Sequence, residues 1–246
     1  MTNPTIAENV ERVQARIAEA CARVGRDPAS ITLVAVSKTK STAQVLAALE
    51  AGVRHFGENR VEEAQTKIPD VRGQYVQSTG MQPVWHMIGH IQSRKARDAA
   101  GLFNVIHSVD SVKLAQKIAQ SHQKADPLDV FVQVNVSGEE SKSGLDAVRW
   151  QVDSASRERL VQEMAEIAAL PGLRLRGLMT MAPIVADMEQ ARPVFAAMAA
   201  LREMLSSALK QPLPDLSMGM TDDYPVAIEE GATVVRVGRA IFGERD

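Results

Sequence analysis

The chain has 246 residues, 45% hydrophobic and 24% charged, with a formal charge of −2. That size fits one large domain or two small ones, and the charge balance carries no electrostatic footprint of nucleic-acid or anionic-membrane binding. No apolar run approaches the roughly 20 residues a bilayer span needs, residues 1–8 lack the order of a signal peptide, and the single cysteine, Cys21, cannot form an internal disulfide. Together these point to a reducing, cytoplasmic setting.

The first element is a helix, because Ile6, Val10, Val13, Ile17, Cys21 and Val24 fall on one stripe, ended by Gly25. Residues 31–36, ITLVAV, form a short apolar run suited to a strand buried on both faces. Ser41 and Gln44 make a capping box for a helix running to Gly52. A second strand lies near Val53–Phe56, followed by a helix from about Asn59 to Lys67. Residues 69–83 hold Pro69, Gly73, Gly80 and Pro83 and read as a loop. Strands follow at 84–88, 104–108, 130–136, 174–179, 216–218 and 233–237. Each of the first five is followed by a helical segment: from Gln92, at 111–123, up to Pro171-Gly172, along Phe195–Leu209, and at 222–230.

Eight strands alternating with helices predict a parallel sheet. Eight such units in one chain of this length match a single (β/α)8 barrel over residues 1–246 with an extra N-terminal helix. A doubly wound open sheet is the alternative, but no G-x-G-x-x-G follows the first strand.

Barrel active sites are built at the C-terminal ends of the strands. Lys38 directly follows strand one. Desolvation there would lower its amine pKa, as a Schiff-base lysine requires. Taken alone, a lysine snorkelling from a strand end is the simpler reading. The last two loops change that balance, because barrels often bind phosphate after strands seven and eight. Ser217, Met218 and Gly219 form one loop, and Gly238 and Arg239 lie in the other. The glycines permit close backbone approach, Ser217 offers a hydroxyl, and a following helix N-terminus favours an anion. Two ordinary glycine turns are the bland reading of each loop. Opposite a strand-one lysine, both loops together fit an aldehyde carrying a phosphate.

Arg236 should point into the barrel mouth. There it either pairs with an acid across the barrel or faces a pyridine nitrogen, holding it unprotonated and weakening the ring as an electron sink. His86 and His90 have H-x-x-x-H spacing, but Gly89 interrupts them and no glutamate lies between, so no zinc site is expected. His86 is expected to line the pocket and His90 to make a structural hydrogen bond. Glu139-Glu140 reads as a solvated loop and Asp222-Asp223 as a helix N-cap region.

The stretches LVAVSKTK, HFGENRVEEA, WHMIGHIQSRK, IHSVDS, VQVNVSGEESKSG, RGLMTMAP and SMGMTDDYPVAIEEGATVVRVGRAIFG are similar, in order, to those of the pyridoxal-phosphate homeostasis family, the proline-synthetase-associated proteins. They run over most of the chain from Ile31 to Arg245. The resemblance implies a barrel like the alanine racemase N-terminal domain, with pyridoxal 5′-phosphate bound as a Schiff base on Lys38. It implies that Ser217, Gly238 and Arg239 hold the phosphate, the last two mainly through backbone N–H groups, with Met218 in the same loop. Arg236 is implied to face the pyridine nitrogen, and Asn59 and His86 to lie near the ring. The family more often carries a polar residue such as Asn at Arg94 and Tyr at Arg60, and residues 70–83 look like a longer loop than usual.

The role implied is a monomeric carrier that buffers the cofactor and delivers it to apoenzymes, with no catalytic activity of its own. The other reading is an amino-acid racemase, which needs a second acid/base opposite Lys38. Racemases of this fold supply it as a tyrosine from a second domain. The chain ends a few residues after strand eight, and its only tyrosines are Tyr75 and Tyr224. A pure interaction module with a structural lysine is a third class, and it would be colourless.

Overall fold

The computed structural model describes residues 4–139 and 143–244. Its strands are β1 (Thr32–Val36), β2 (His55–Glu58), β3 (Val84–Met87), β4 (Val105–Val109), β5 (Leu128–Asn135), β6 (Leu145–Asp146), β7 (Leu173–Met179), β8 (Asp215–Ser217) and β9 (Val234–Val237). All pair in parallel. Around the ring the order is β1-β2-β3-β4-β5-β7-β8-β9, and β9 closes it by pairing with β1. The two-residue β6 pairs only with the end of β5, outside the closed ring. The expected (β/α)8 barrel is therefore the fold.

The helices are α1 (Ile6–Arg23), α2 (Thr42–Glu50), α3 (Val61–Thr79), α4 (Ala96–Leu102), α5 (Val112–Ser121), α6 (Ser154–Ala168), α7 (Arg192–Leu209), α8 (Tyr224–Glu229) and α9 (Arg239–Phe242). One of α2–α9 follows each barrel strand, and α1 is the additional one. Local chemistry sets several starts. Thr5 with Glu8 and Ser41 with Gln44 both complete capping boxes, and the Ser111 hydroxyl accepts from the Leu114 N–H. Helix α1 buries Val10, Val13, Ile17 and Cys21. It is tied to the last helix by the Asn9 side-chain amide, which donates to the Ile241 carbonyl at 2.9 Å.

Two sequence expectations need correction. Residues 69–79 are helical rather than loop, because α3 continues through Pro69. The continuation buries Ile68, Val71 and Tyr75 against the helix layer, and burial of three large apolar side chains outweighs the roughly 3 kcal/mol that proline costs inside a helix. Strand β2 lies two residues later than predicted, at His55–Glu58, because Val53 accompanies the end of α2 and donates its N–H to the Ala48 carbonyl at 3.0 Å.

The main core lies between barrel and helices. A smaller one fills the barrel with Val34, Val105, Phe131, Met179 and Val234. Strand alternation turns His55, His86, His107, Ser217 and Arg236 to the same side as these residues, and the register sets polar beside apolar: His55 and Arg236 pair with Val34, His86 with Val105 and Ser217 with Val234.

Candidate cofactor site

Lys38 sits in the turn after β1, half-buried, and the turn is held from several sides. The Lys40 N–H donates to the Ser37 carbonyl at 3.0 Å, closing the turn. Thr39 has φ 63°, a left-handed conformation that is strained for a β-branched residue. Its N–H donates to Glu63 Oε1 at 2.6 Å. The Lys67 ammonium donates to the Ser37 carbonyl at 2.7 Å, to Glu58 Oε1 at 2.9 Å and to Glu63 Oε1 at 2.6 Å. The Ser37 hydroxyl donates to Glu58 Oε1 at 2.7 Å. On the far side Lys40 Nζ donates to the Glu244 carbonyl at 2.8 Å. A strained residue directly after Lys38, fixed by a buried ion pair, marks a turn whose geometry matters more than its stability.

Two loops meet this turn. A Cβ at Gly238 would lie 3.3 Å from both the Cβ and the carbonyl oxygen of Val36, so the loop after β9 packs directly on the strand end that carries Lys38. The loop after β8 turns at Gly219, with φ +91°, where a Cβ would come within 2.7 Å of the Ala227 Cβ. Ser217 ends β8, fully buried, and its Oγ receives a hydrogen bond from Arg236 Nη1 at 2.6 Å. Gly238 and Arg239 open the short helix α9, whose first N–H groups have no partner within the helix.

Arg236 is buried, and its Nη2 donates to the Thr180 carbonyl at 2.8 Å. No carboxylate among the described residues lies within ion-pair distance of it. Burial lowers its pKa to about 10, with Asp223 pulling the other way, so it stays charged at neutral pH. Two of its five N–H donors are engaged. Asn59 follows β2 with its Oδ1 buried and unpartnered, and it packs so tightly on Gly89 that a Cβ there would fall 2.2 Å from the Asn59 carbonyl oxygen.

The remaining predicted residues are more removed from open space. Both ring nitrogens of His86 are engaged by other histidines, at 2.9 Å to His55 and 2.8 Å to His107. Met218 is fully buried in the main core, and its N–H donates to the Val234 carbonyl at 3.1 Å. The Arg239 side chain pairs with Asp222 and Glu244, leaving its backbone as the part free to face a ligand. His90 pairs with Asp110 at 3.0 Å, as its structural reading anticipated. Asp223 accepts from the Met220 N–H at 2.6 Å. Glu140 lies outside the described residues. No cluster of three or more metal-ligating side chains occurs among the described residues.

Sequence reading missed two networks, the Lys67, Glu58 and Glu63 clamp and the chain that joins His55 and His107 through His86. The available signal was the i, i+4 pair Glu63–Lys67 directly after a strand, and a histidine at an inward position on each of three consecutive strands. Burial pushes the Glu58 carboxyl up, against the pull of Lys67 and Ser37. It pushes the imidazoles down, His86 to about 3, His55 and His107 in the same direction.

The residues present fit a phosphorylated aldehyde of a ring. Lys38 stands in a held turn that packs on the Gly238 loop, Ser217 and Arg236 supply a buried hydroxyl and guanidinium on β8 and β9, and Asn59 after β2 supplies an orphaned amide oxygen. The alanine racemase N-terminal domain profile matches residues 5–246. A pyridoxal phosphate homeostasis protein of Pseudomonas aeruginosa is 45% identical over 243 residues, covering 98% of this chain and 96% of that protein. That of Escherichia coli K12 is 40% identical, covering 98% and 97%. Among solved structures, pyridoxal-phosphate-bound PipY of Synechococcus elongatus superposes with a TM-score of 0.75 at 34% identity, covering 92% of this chain and all of that one. Alanine racemase of Clostridium difficile, 17% identical with a TM-score of 0.61 over 94% of this chain and 56% of its own, shares the barrel fold. No helix among the described residues is long and apolar enough to cross a membrane. With full-length identity of this order and a matching barrel, the chain belongs to the pyridoxal phosphate homeostasis family of alanine racemase N-terminal-domain barrels.

Proposed function

We propose that the protein binds pyridoxal 5′-phosphate covalently through Lys38 and serves the homeostasis of that cofactor, as a monomer of one domain that releases it to apoenzymes. The observation that carries this reading is the turn Ser37–Lys40, clamped by Lys67, Glu58 and Glu63 and packed through Val36 on the Gly238 loop. When bound, the cofactor supplies an electrophilic aldehyde and an electron-withdrawing ring.

The chain's own residues supply the rest. Lys38 must reach the aldehyde as a neutral amine to attack it. Ser217 donates its hydroxyl to the phosphate, with the Gly238 and Arg239 N–H groups completing the cradle. Arg236, which stays charged, would face the ring nitrogen and hold it unprotonated, which would make the ring a poor electron sink. That suits holding over turnover. Of the two tyrosines, Tyr75 is buried in α3, and Tyr224 packs in α8 with the Arg16 guanidinium 5.5 Å from its ring centroid.

The experiment is borohydride reduction of cofactor-saturated protein, then peptide mass mapping. A reduced pyridoxyl-phosphate adduct on the Lys38 peptide is expected. An unmodified Lys38 in saturated protein would remove the reading. Racemisation at a useful rate, abolished by Lys38→Ala, would replace the carrier with an enzyme.

A further inference from the structure

A continuous chain of side-chain hydrogen bonds runs through the barrel from the start of β2 to the end of β8. His55 Nδ1 lies 2.9 Å from His86 Nε2, His86 Nδ1 lies 2.8 Å from His107 Nε2, and His107 Nδ1 lies 2.8 Å from Ser217 Oγ. Ring packing fixes these orientations. His107 stacks on Phe131 with centroids 4.4 Å apart, and His86 meets His107 edge-on at 5.0 Å. His55, half-buried at the N-terminal end of β2, is the far terminus. Each link is nitrogen to nitrogen or nitrogen to hydroxyl, so each needs one donor and one acceptor. Neutral imidazole supplies one of each. The chain therefore has two self-consistent directions and no mixed one.

Ser217 decides between them. Its oxygen has one hydrogen and two lone pairs. Arg236 can only donate and fills one lone pair. If His107 carries its proton on Nε2, the Ser217 hydrogen must go to His107 Nδ1, leaving only a lone pair for anything else. If His107 carries it on Nδ1, both lone pairs are filled from the protein and the hydroxyl hydrogen is left for an outside acceptor. An anionic phosphate oxygen accepts and cannot donate.

We propose that His55, His86 and His107 are positioning residues forming a tautomer relay. With the cofactor phosphate on Ser217 all three carry their proton on Nδ1, and without it all three carry it on Nε2. The inference rests on the reading of Ser217 as a phosphate donor. Occupancy at the C-terminal mouth is thereby written at the opposite end of the barrel. There His55 Nε2 is an acceptor when the site is filled and a donor when it is empty.

The test is long-range 1H–15N spectroscopy of imidazole-labelled protein, stripped and then loaded with pyridoxal phosphate, with loading verified by the mass of the reduced Lys38 peptide. The expected result is an exchange of the Nδ1 and Nε2 signatures in three of the five histidines. His122, bonded through Nε2 to the Asp126 carbonyl at 2.8 Å, stays unchanged as the internal control. In Ser217→Ala, loaded through Lys38 at higher cofactor concentration, the exchange disappears. Identical tautomers in stripped and loaded protein, or a loaded His107 protonated on Nε2, would overturn the relay while the adduct on Lys38 stands. Exchange that persists in Ser217→Ala would overturn transmission through the hydroxyl. No adduct at all sinks the underlying reading and the relay with it.

Discussion

Three imidazoles held neutral inside a barrel give the folded state a pH dependence of definite sign. Burial, with the neighbouring His55 charge second, lowers His86 from 6.5 to about 3, and His55 and His107 are lowered too. As pH falls through 6.5 the unfolded chain takes up protons that the folded chain refuses. Stability is thus fully present above that pH and is lost on the way down, by up to about 1.4 kcal/mol per pH unit for each histidine. Glu58 works oppositely: its raised folded pKa adds stability as pH falls towards its ordinary value of 4.5. Three groups outweigh one, so urea midpoints should drop steeply between pH 6.5 and 5. His86→Gln should flatten that slope by about one histidine's share, whatever it does to stability at pH 7.5. An unchanged slope would mean that His86 is protonated in the folded protein. The Lys67–Glu58 pair makes a second prediction at this scale. Both side chains are buried, so Lys67→Met strands a carboxylate and should cost about 3–5 kcal/mol in urea unfolding. Adding Glu58→Leu should recover most of that loss, because an apolar pair in place of a buried ion pair is often neutral.

Helix α3 contains Pro69 at an exposed position, nine residues into its run. The proline removes the N–H that would bond the Gln65 carbonyl and buries nothing in return. Pro69→Ala should therefore raise stability by about 1–2 kcal/mol, after allowance for the more flexible unfolded chain. A lower urea midpoint would mean that the helix is bent there for a packing reason. The same proline explains what was and was not legible in the sequence at this scale. The strands could be read because parallel strands buried on both faces become uninterrupted runs such as LVAV and VFVQV. The helices α1 and α2 could be read from stripe and capping box. Beyond Lys67 the local signals of Pro69, Gly73 and Gly80 spoke for a loop, while the burial of Ile68, Val71 and Tyr75 that keeps α3 helical is a tertiary fact. The site divides in the same way. Lys38, Ser217, Gly238 and Arg236 stand at or near strand ends, which makes them candidates together, although Lys38 alone reads more simply as a snorkelling side chain and Arg236 equally as an ion-pair partner. The clamp on the Lys38 turn contains the local pair Glu63–Lys67, but its links to Ser37 span 21 and 30 positions and those of the histidine chain 21 to 110, which strand pairing in the barrel brings together.

Closure is the property of the whole molecule on which both halves of the site depend. Each of the eight ring strands is paired on both sides, so the Lys38 turn after β1 and the Gly238 loop after β9 are neighbours only because the first and last strands meet. Among the glycines the closest approach is at Gly177 on β7, opposite Asp215 of β8, where an added Cβ would fall 1.8 Å from the Asp215 carbonyl oxygen. A backbone atom of a paired strand cannot step aside without opening the β7–β8 seam, and β8 carries Ser217. Gly177→Ala should therefore cost about 3 kcal/mol or more, through overpacking against backbone. It should also weaken phosphate binding in whatever fraction stays folded. Gly73 in α3 provides the contrast. A Cβ there meets nothing within 4 Å, and Gly73→Ala should stabilise by about 0.5–1 kcal/mol through helix propensity alone. Urea unfolding of the two variants side by side separates closure from generic glycine chemistry. Equal small effects would mean that the ring gives way at β7–β8 without loss, and that the site does not depend on a tight barrel.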